Sequence, residues 1–596
     1  MLGTVVRLEC ILLVLGGLCA ACLSAKADFG FSAPAALDAN AATDSTLDGE
    51  PQITTDGAGH WVAVWSKNDR VGIIGGYREI LVSRSTDNGV TWTASTALDP
   101  DAASDRSDYS FPQVSTDNAG HWVAVWSSGE WSDILLRTDG DILVSRSTNN
   151  GLTWSPPAAL NINAPVDFGG DVAPQIATDG AGHWVAVWQS WETLGEVIGV
   201  DLDILVSRST DNGLTWSYPA VLNTNAGYDV GEDWYPQITT DKMGHWVAVW
   251  HSSDTLGGAI GDDYDILVSR STNNGLTWSP PAALNADAGS DWNTDIDPQV
   301  TTDELGNWVA VWSSGDFRAF DYDIKVSRST DNGVTWTPPA TLNANGANDS
   351  GDDWNPQVTT DKAGTWVIVW DTYDSLSGAI GIDGDILVSR STDDGETWTP
   401  PVALNTNAAF DSGRDWGSQV TTDNAGHWVA VWSSFDTLEG TIGSDEDILF
   451  AVSSTMSNSP PRVIIGTPSI SNPDTIVFTV TYRGATVITL SAADIDLHTT
   501  GTATGTVNVS GSGSVRIVTI SNLAGDGTLG ISIAADTATN VWGISAPATG
   551  VSLLVLIASG VPAVPLRWWP LALLLPLFGW CAYRVQRANH GAEEDS

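Results

Sequence analysis

The chain has 596 residues, with 24 Lys+Arg against 72 Asp+Glu, a formal net charge of −48. That balance excludes a nucleic-acid partner, which needs a clustered basic surface, yet 42% hydrophobic and only 16% charged residues describe packed cores and not a disordered acidic tail. Cys10, Cys19, Cys22 and Cys581 all sit near the two ends, so the body holds no disulfide, thiolate metal site or cysteine nucleophile.

Residues 1–27 carry Arg7, an apolar run over 11–18 and the A-x-A site Ala25-Lys26-Ala27. This is the layout of a secretory signal peptide. A lipoprotein site at Cys22 is the second reading, with Cys19 standing where such a site usually has Leu.

From 28 to 456 the chain repeats itself. The Trp of an S-T-[DN]-[ND]-G-x-T-W segment falls at Trp92, Trp154, Trp216, Trp278, Trp336 and Trp398, at steps of 62, 62, 62, 58 and 62 residues. A second segment, P-Q-[IV]-x-T-D-x-x-G-x-W-V-A-V-W, starts at Pro51, Pro112, Pro174, Pro236, Pro298 and Pro356, and again at Ser418 with Ser replacing Pro. One unit reads as four strands, here called a to d. In the third, a covers 175–178, b covers 183–189, c covers 203–210, and d runs from near Thr215 towards Leu222. Strand b alternates Trp184, Ala186, Trp188 on one face with Val185 and Val187 on the other, so it is sandwiched between two layers. Four-stranded units of this kind, repeated, predict a β-propeller. Phe31 to Leu37 matches Trp154 to Leu160, a d strand without its unit, and Asp447 to Ser454 is a c strand without a d. The first should complete the last, closing seven blades and removing exposed sheet edges.

Residues 457–461 read as a linker. Residues 462–553 are rich in Thr, Ser and Gly, alternate as in Ile476-Val477-Phe478-Thr479-Val480-Thr481, and predict a β-sandwich. Leu490 to Ile495, Gly505-Thr506-Val507 and Gly525 to Leu529 resemble bacterial immunoglobulin-like domains. After a linker at 554–567, the apolar stretch 568–583 carries flanking Arg567, Arg584 and Arg587 and the interfacial Trp568 and Trp569, but also Pro570 and Pro576. It reads as a C-terminal hydrophobic helix anchoring the protein in a membrane, with 584–596 a cytoplasmic tail. Together with Val561-Pro562 it resembles bacterial C-terminal sorting signals, so the body is placed outside the cytoplasmic membrane. The fold class is all-β: a seven-bladed propeller closed by its N-terminal strand, a β-sandwich and that helix.

Ser209-Thr210-Asp211-Asn212-Gly213-Leu214-Thr215-Trp216 is similar to the Asp-box of the sialidase-like (BNR) repeat family. The family includes sialidases, sortilin-type receptors, photosystem assembly factors and glucan hydrolases, so the motif marks a fold element before it marks an activity. The positions are Asp87, Asn149, Asp211, Asn273, Asp331 and Asp393. An amide at two of them keeps a turn hydrogen bond and loses the charge, which suits structure and not catalysis. The resemblance places these turns opposite the family's active site. Ser-Arg-Ser arginines beside them (Arg84, Arg146, Arg208, Arg270, Arg328, Arg390) read as charge partners for a neighbouring blade. His60, His121, His183, His245 and His427, replaced by Asn307 and Thr365 in two copies, read as turn residues.

The b–c and d–a loops share the other face. The d–a loops carry D-x-x-x-D at Asp44/Asp48, Asp167/Asp171, Asp229/Asp233, Asp291/Asp295, Asp349/Asp353 and Asp411/Asp415. Ca²⁺ suits such oxygen ligands, with Asp229, Asp233, Asp291, Asp295, Asp349 and Asp353 the candidates; the alternative is that each Asp fixes its own loop. No other cofactor is implied. The sialidase resemblance implies three arginines on a substrate carboxylate, an Asp acid/base and a Tyr nucleophile helped by a Glu, with the first arginine in Arg-Ile-Pro. No Arg-Ile-Pro occurs here. The unrepeated loop arginines Arg70, Arg78, Arg106, Arg137, Arg318 and Arg414, with Tyr77, Tyr109, Tyr228 and Tyr322, offer material for such a clamp, Tyr109 standing among the catalytic candidates; the alternative is that each arginine is a local salt-bridge partner. Trp234, Trp292, Trp354 and Trp416 are placed to stack on sugar or to pack between blades. The leading expectation is a binding module for a glycan or protein ligand on the loop face. An exo-α-sialidase or related glycoside hydrolase, and an architectural envelope protein, are the rivals.

Overall fold

The computed structural model describes residues 30–68, 78–99, 108–129, 140–166, 168–290, 292–316, 321–343, 351–453, 461–472, 474–483, 485, 487–539, 545–558 and 561–565. The expected signal peptide (1–27), the expected membrane helix (568–583) and the expected tail lie outside them, and among the described residues no helix is long and apolar enough to cross a membrane. The chain divides into two compact units, 1–457 and 458–596.

The first unit is all-β, built from four-stranded antiparallel sheets. Six follow chain order over 47–97, 109–159, 171–221, 233–283, 294–341 and 353–403, and a seventh joins 415–453 to Ala35–Ala36. In the third sheet, a is Asp171–Thr178, b Trp184–Ser190, c Asp203–Ser209 and d only Ala220–Val221. The sequence reading made d longer. Outside those two residues, the c and d segments are joined by Ser217 N–H to Arg208 O and Leu222 N–H to Ile204 O, both 2.8 Å.

Strand b carries the packing. Trp184 through Trp188 are fully buried. Trp184, Ala186 and Trp188 meet Val123 and Val125 of the second sheet, while Val185 and Val187 meet Trp246 and Trp250 of the fourth. The same exchange joins each sheet to the next, and Val429 and Val431 of the seventh to Trp61 and Trp65 of the first. Each buried indole removes about 150–250 Å² from water, roughly 4–6 kcal/mol at about 25 cal/mol per Å². The array therefore closes on itself through side chains as well as through the N-terminal strand. There Ala35 pairs with Phe450 and Ala36 with Leu449, flanked by Ser32 N–H to Val452 O and Leu37 N–H to Ile448 O, both 2.8 Å.

The Asp-boxes are turn clamps. Thr215 donates its N–H to Asp211 Oδ1 (2.9 Å) and its hydroxyl to Asp211 Oδ2 (2.7 Å). Asn149 accepts the Thr153 N–H (3.0 Å) but donates its Nδ2 to the Thr153 hydroxyl (2.9 Å), so one donor–acceptor pair is reversed and the turn survives. The neighbouring arginines reach across to the next sheet, with Asp331 of that sheet's Asp-box close enough to act on Arg270. Nε of Arg84, Arg146, Arg208 and Arg270 donates to the backbone carbonyls of Asn150, Asn212, Asn274 and Asn332 at 2.7–2.8 Å, inside the next sheet's Asp-box. A planar donor reaching a carbonyl needs no acidic partner. His60 Nδ1 lies 2.7 Å from Asp56 Oδ2, and Asn307 Nδ2 donates to Asp303 Oδ2 at the same distance. One ring or amide nitrogen serves the a–b turn, which is why Asn can replace His.

The second unit contains a sheet around Arg462–Ile465, Thr475–Arg483, Thr504–Ser510 and Val515–Ala524, and another of Ile495–Thr499, Gly527–Ile533, Val555–Ala558 and Val561–Pro565. Both line one core, with Phe478, Val480 and Val518 from one and Leu529, Ile531 and Val555 from the other. This is a β-sandwich, and it extends beyond the 462–553 boundary. Residues 555–557, read as linker, pair with 527–529, and fully buried Val555 joins the core.

Candidate functional site

The loop face is organised by a bulge in every a strand. Between Val172 and Gln175, Trp234 and Gln237, Trp354 and Gln357, and Trp416 and Gln419 the pairing register slips. The residue at the slip takes a left-handed backbone: Glu50, Phe111, Ala173, Tyr235, Asp297 and Asn355 have φ of 49–57°, and Gly417 of 65°. Six non-glycine residues there carry strain. The preceding sheet holds the bulge amides. Ala173 N–H donates to Ser127 Oγ (3.0 Å), Tyr235 to Gln189 Oε1 (2.7 Å), Asp297 to His251 Nδ1 (3.3 Å) and Gly417 to Asp371 Oδ2 (2.8 Å). Bulge side chains from different sheets converge, with the rings of Phe111 and Tyr235 at 6.3 Å. Burial pushes the Tyr235 phenol up and the His251 imidazole down to about 3, so neither is charged in this setting.

Where the bulges of the sixth and seventh sheets meet lies a cleft of about 220 Å³, lined by Trp354, Asn355, Asp371, Tyr373, Arg414 and Trp416 among others. The exposed Arg414 lies 5.6 Å over the rings of both Tyr373 and Trp416. Gly384, at φ +115°, permits this: a Cβ there would stand 3.1 Å from Arg414 Cγ and 3.4 Å from the Tyr373 ring. Trp354 stacks on Tyr322 at 4.1 Å and 31°. The buried Asp371 accepts Asn355 Nδ2 (3.0 Å) and the amides of Gly417 and Ser418 (3.3 Å for the second). Burial still outweighs these bonds and lifts its carboxyl to about 6. Glu446, buried beside Trp416, is pushed up to about 7 by burial, with the Glu50 charge adding and Arg414 opposing. The cleft thus offers aromatic faces, one guanidinium and a fixed acceptor.

The sequence-selected residues divide. Arg414, Trp354 and Trp416 come together. Trp234 lies elsewhere on this face, edge-on to Trp191 at 6.1 Å and tilted against Tyr235. Trp292 is 82% exposed; it follows the first aspartate of its motif, whereas the other three follow the second. Tyr109 is buried, its hydroxyl donating to Asp99 (3.0 Å), and does not reach the cleft. Arg78 pairs with Glu50 and Asp108. Arg70, Arg106, Arg137 and Arg318 lie outside the described residues. Asp371, Tyr373 and Asn355 were missed. Asp371 was detectable as the acidic member of a position filled by Ser66, Ser127, Gln189, His251, Ser313 and Ser433 in the other copies.

The aspartates of the D-x-x-x-D loops stay together at Asp411 and Asp415, which share a 4.8 Å cluster with Asp385, but separate at Asp229 and Asp233. Asp233, Asp295 and Asp353 are buried at or near the start of strand a and accept Nδ2 of Asn223, Asn285 and Asn343 at 2.7–2.9 Å. Asp229 turns instead to Asp201 and Asp203, with one carboxylate oxygen of each inside a 4.8 Å cluster. Burial lifts Asp203 to about 8 and, with the charges of Asp201 and Asp254, Asp229 to about 7. Asp291 and Asp349 lie outside the described residues.

No family model matches this chain, and no curated protein does. Among solved structures it is similar to a Dyadobacter fermentans protein of unknown function (16% identity, 58% of this chain and 94% of that one, TM-score 0.40). It is also similar to a Hadza microbial sialidase (17%, 64% and 74%, 0.39) and to a GH93 α-L-arabinofuranosidase of Fusarium graminearum (12%, 57% and 92%, 0.39). Likeness at this level leaves substrate and activity to the chain's own residues.

Proposed function

We propose that the first unit is a seven-bladed, sialidase-like propeller that recognises a carbohydrate at the cleft between its sixth and seventh sheets. The observation that carries this reading is Arg414 held over both Tyr373 and Trp416, next to Trp354. Apolar sugar faces stack on aromatic rings, and a guanidinium pairs with a sugar carboxylate or hydroxyls. The cleft has room for one monosaccharide, so the ligand would be a glycan terminus. The segments at 1–27 and 568–583 support export and retention at the envelope, with an immunoglobulin-like sandwich as spacer. A glycan array probed with the full chain should give hits that Trp416→Ala and Arg414→Ala abolish. An array without hits sinks the sugar reading and leaves a protein ligand or an architectural role.

A second reading, glycoside hydrolysis, draws on the raised carboxyls of Asp371 and Glu446, since a general acid must hold its proton near neutrality. Release of fluorophore from a sialoside, lost in Glu446→Gln, would establish it over simple binding.

A further inference from the structure

We infer that the junction of the third and fourth sheets binds a hard divalent cation of the Ca²⁺ class, through Asp201, Asp203, Asn225 and Asp229. This does not rest on the carbohydrate reading. Asp203 is fully buried. Its Oδ1 accepts Asn223 Nδ2 at 2.8 Å, while its Oδ2 has no hydrogen-bond partner although it is shut off from water. Asp201 Oδ2, Asp229 Oδ1 and Asn225 Oδ1 are likewise buried and without partners. Asn225 spends its Nδ2 on Asp229 Oδ2 and Asp254 Oδ2, which fixes the amide so that its oxygen is the free end. Three carboxylates thus share a cluster 4.8 Å across, and no ion pair reaches them among the described residues. Buried oxygens left so are costly. A cation repays that cost, and a donor set of oxygens alone suits Ca²⁺ over softer metals.

The arrangement recurs. Asp383 Oδ2, Asn407 Oδ1 and Asp411 Oδ1 are the partnerless atoms at the sixth–seventh junction, and Asp445 Oδ2, Asp447 Oδ2 and Asp44 Oδ1 at the seventh–first. At the last of these Lys67 Nζ comes within 3.5 Å of Asp44, a built-in cation where the third–fourth junction has none among the described residues. Space is reserved for the first aspartate as well: a Cβ on Gly199 would lie 2.1 Å from Asp201 Oδ1. The ion would tie the b–c loop to the d–a loop, already joined by Gly199 N–H to Ala226 O at 2.9 Å.

The test is calorimetric titration of CaCl₂ into full-length protein stripped with EDTA and desalted. Saturable binding with Kd below about 1 mM is expected, with a raised thermal midpoint and at least tenfold weaker response to Mg²⁺. Asp203→Asn and Asp229→Asn should each remove one equivalent of Ca²⁺ while keeping the wild-type circular dichroism. Should Asp203→Asn misfold, the less buried Asp201→Asn supplies the same count. Absence of saturable binding, or an unchanged stoichiometry in a folded variant, overturns the assignment. Ca²⁺ binding without any glycan hit would leave it intact and remove only the carbohydrate reading.

Discussion

The buried carboxylate of Asp371 accepts the N–H of Gly417 at 2.8 Å. One group on the sixth sheet therefore fixes the bulge of the seventh, and with it the position of Trp416 in the cleft.

Asp371→Ala leaves the Gly417 and Ser418 amides and Asn355 Nδ2 without that acceptor. An unsatisfied buried donor costs about 1–3 kcal/mol, so urea denaturation should show a loss in that range, with ligand affinity falling in parallel. Asp371→Asn, which keeps one acceptor, should recover part of both.

Removing residues 28–37 should expose the outer edge of the strand Asp447–Ser453. Losing the burial of Phe31 and Leu37 costs roughly 3–6 kcal/mol in total, and the bare edge invites association. A lowered thermal midpoint with oligomers in light scattering is the expected result. An unchanged midpoint would mean that side-chain packing between the first and seventh sheets closes the ring unaided.

Asp87→Asn should be nearly neutral, because Asn149 already works in the same turn. Asp87→Ala removes acceptors for the Thr91 N–H and hydroxyl and should cost about 1 kcal/mol. Both variants should bind ligand as wild type does, since the turn lies away from the cleft. Loss of binding at unchanged stability would count against the structural assignment.

Asp297 titrates near 6, lifted from 3.8 by burial and then by the Asp371 charge, and Asp371 itself is lifted to about 6. Folded-state values above the unfolded one mean that the protonated forms favour the fold. Their contribution is complete below about pH 3.8 and is lost as pH rises through 6. Relative to wild type, Asp297→Asn should therefore flatten the fall in stability between pH 4.5 and 7 by on the order of 1 kcal/mol. Paired urea curves at the two pH values measure it.

The repeat itself was legible because local chemistry writes it. Alternating Trp and Val in Trp184 to Trp188 demands two covered faces, and Asp211 with Gly213 makes a turn whatever its surroundings. The match of Phe31–Leu37 to an outer strand revealed the strand closure for the same reason. The end of the sandwich was not legible, because Val555 becomes core only when another strand arrives beside it. Nor was the cleft. Arg414 differs little in sequence from Arg70 or Arg318, and only the seventh sheet's bulge, held by a residue 46 positions earlier, sets it over two rings. The acidic loops show the same limit. The spacing of Asp229 and Asp233 suggested that they act together, but strand a begins only at Asp233, and tertiary packing sends Asp233 to Asn223 and the loop residue Asp229 to Asp201 and Asp203.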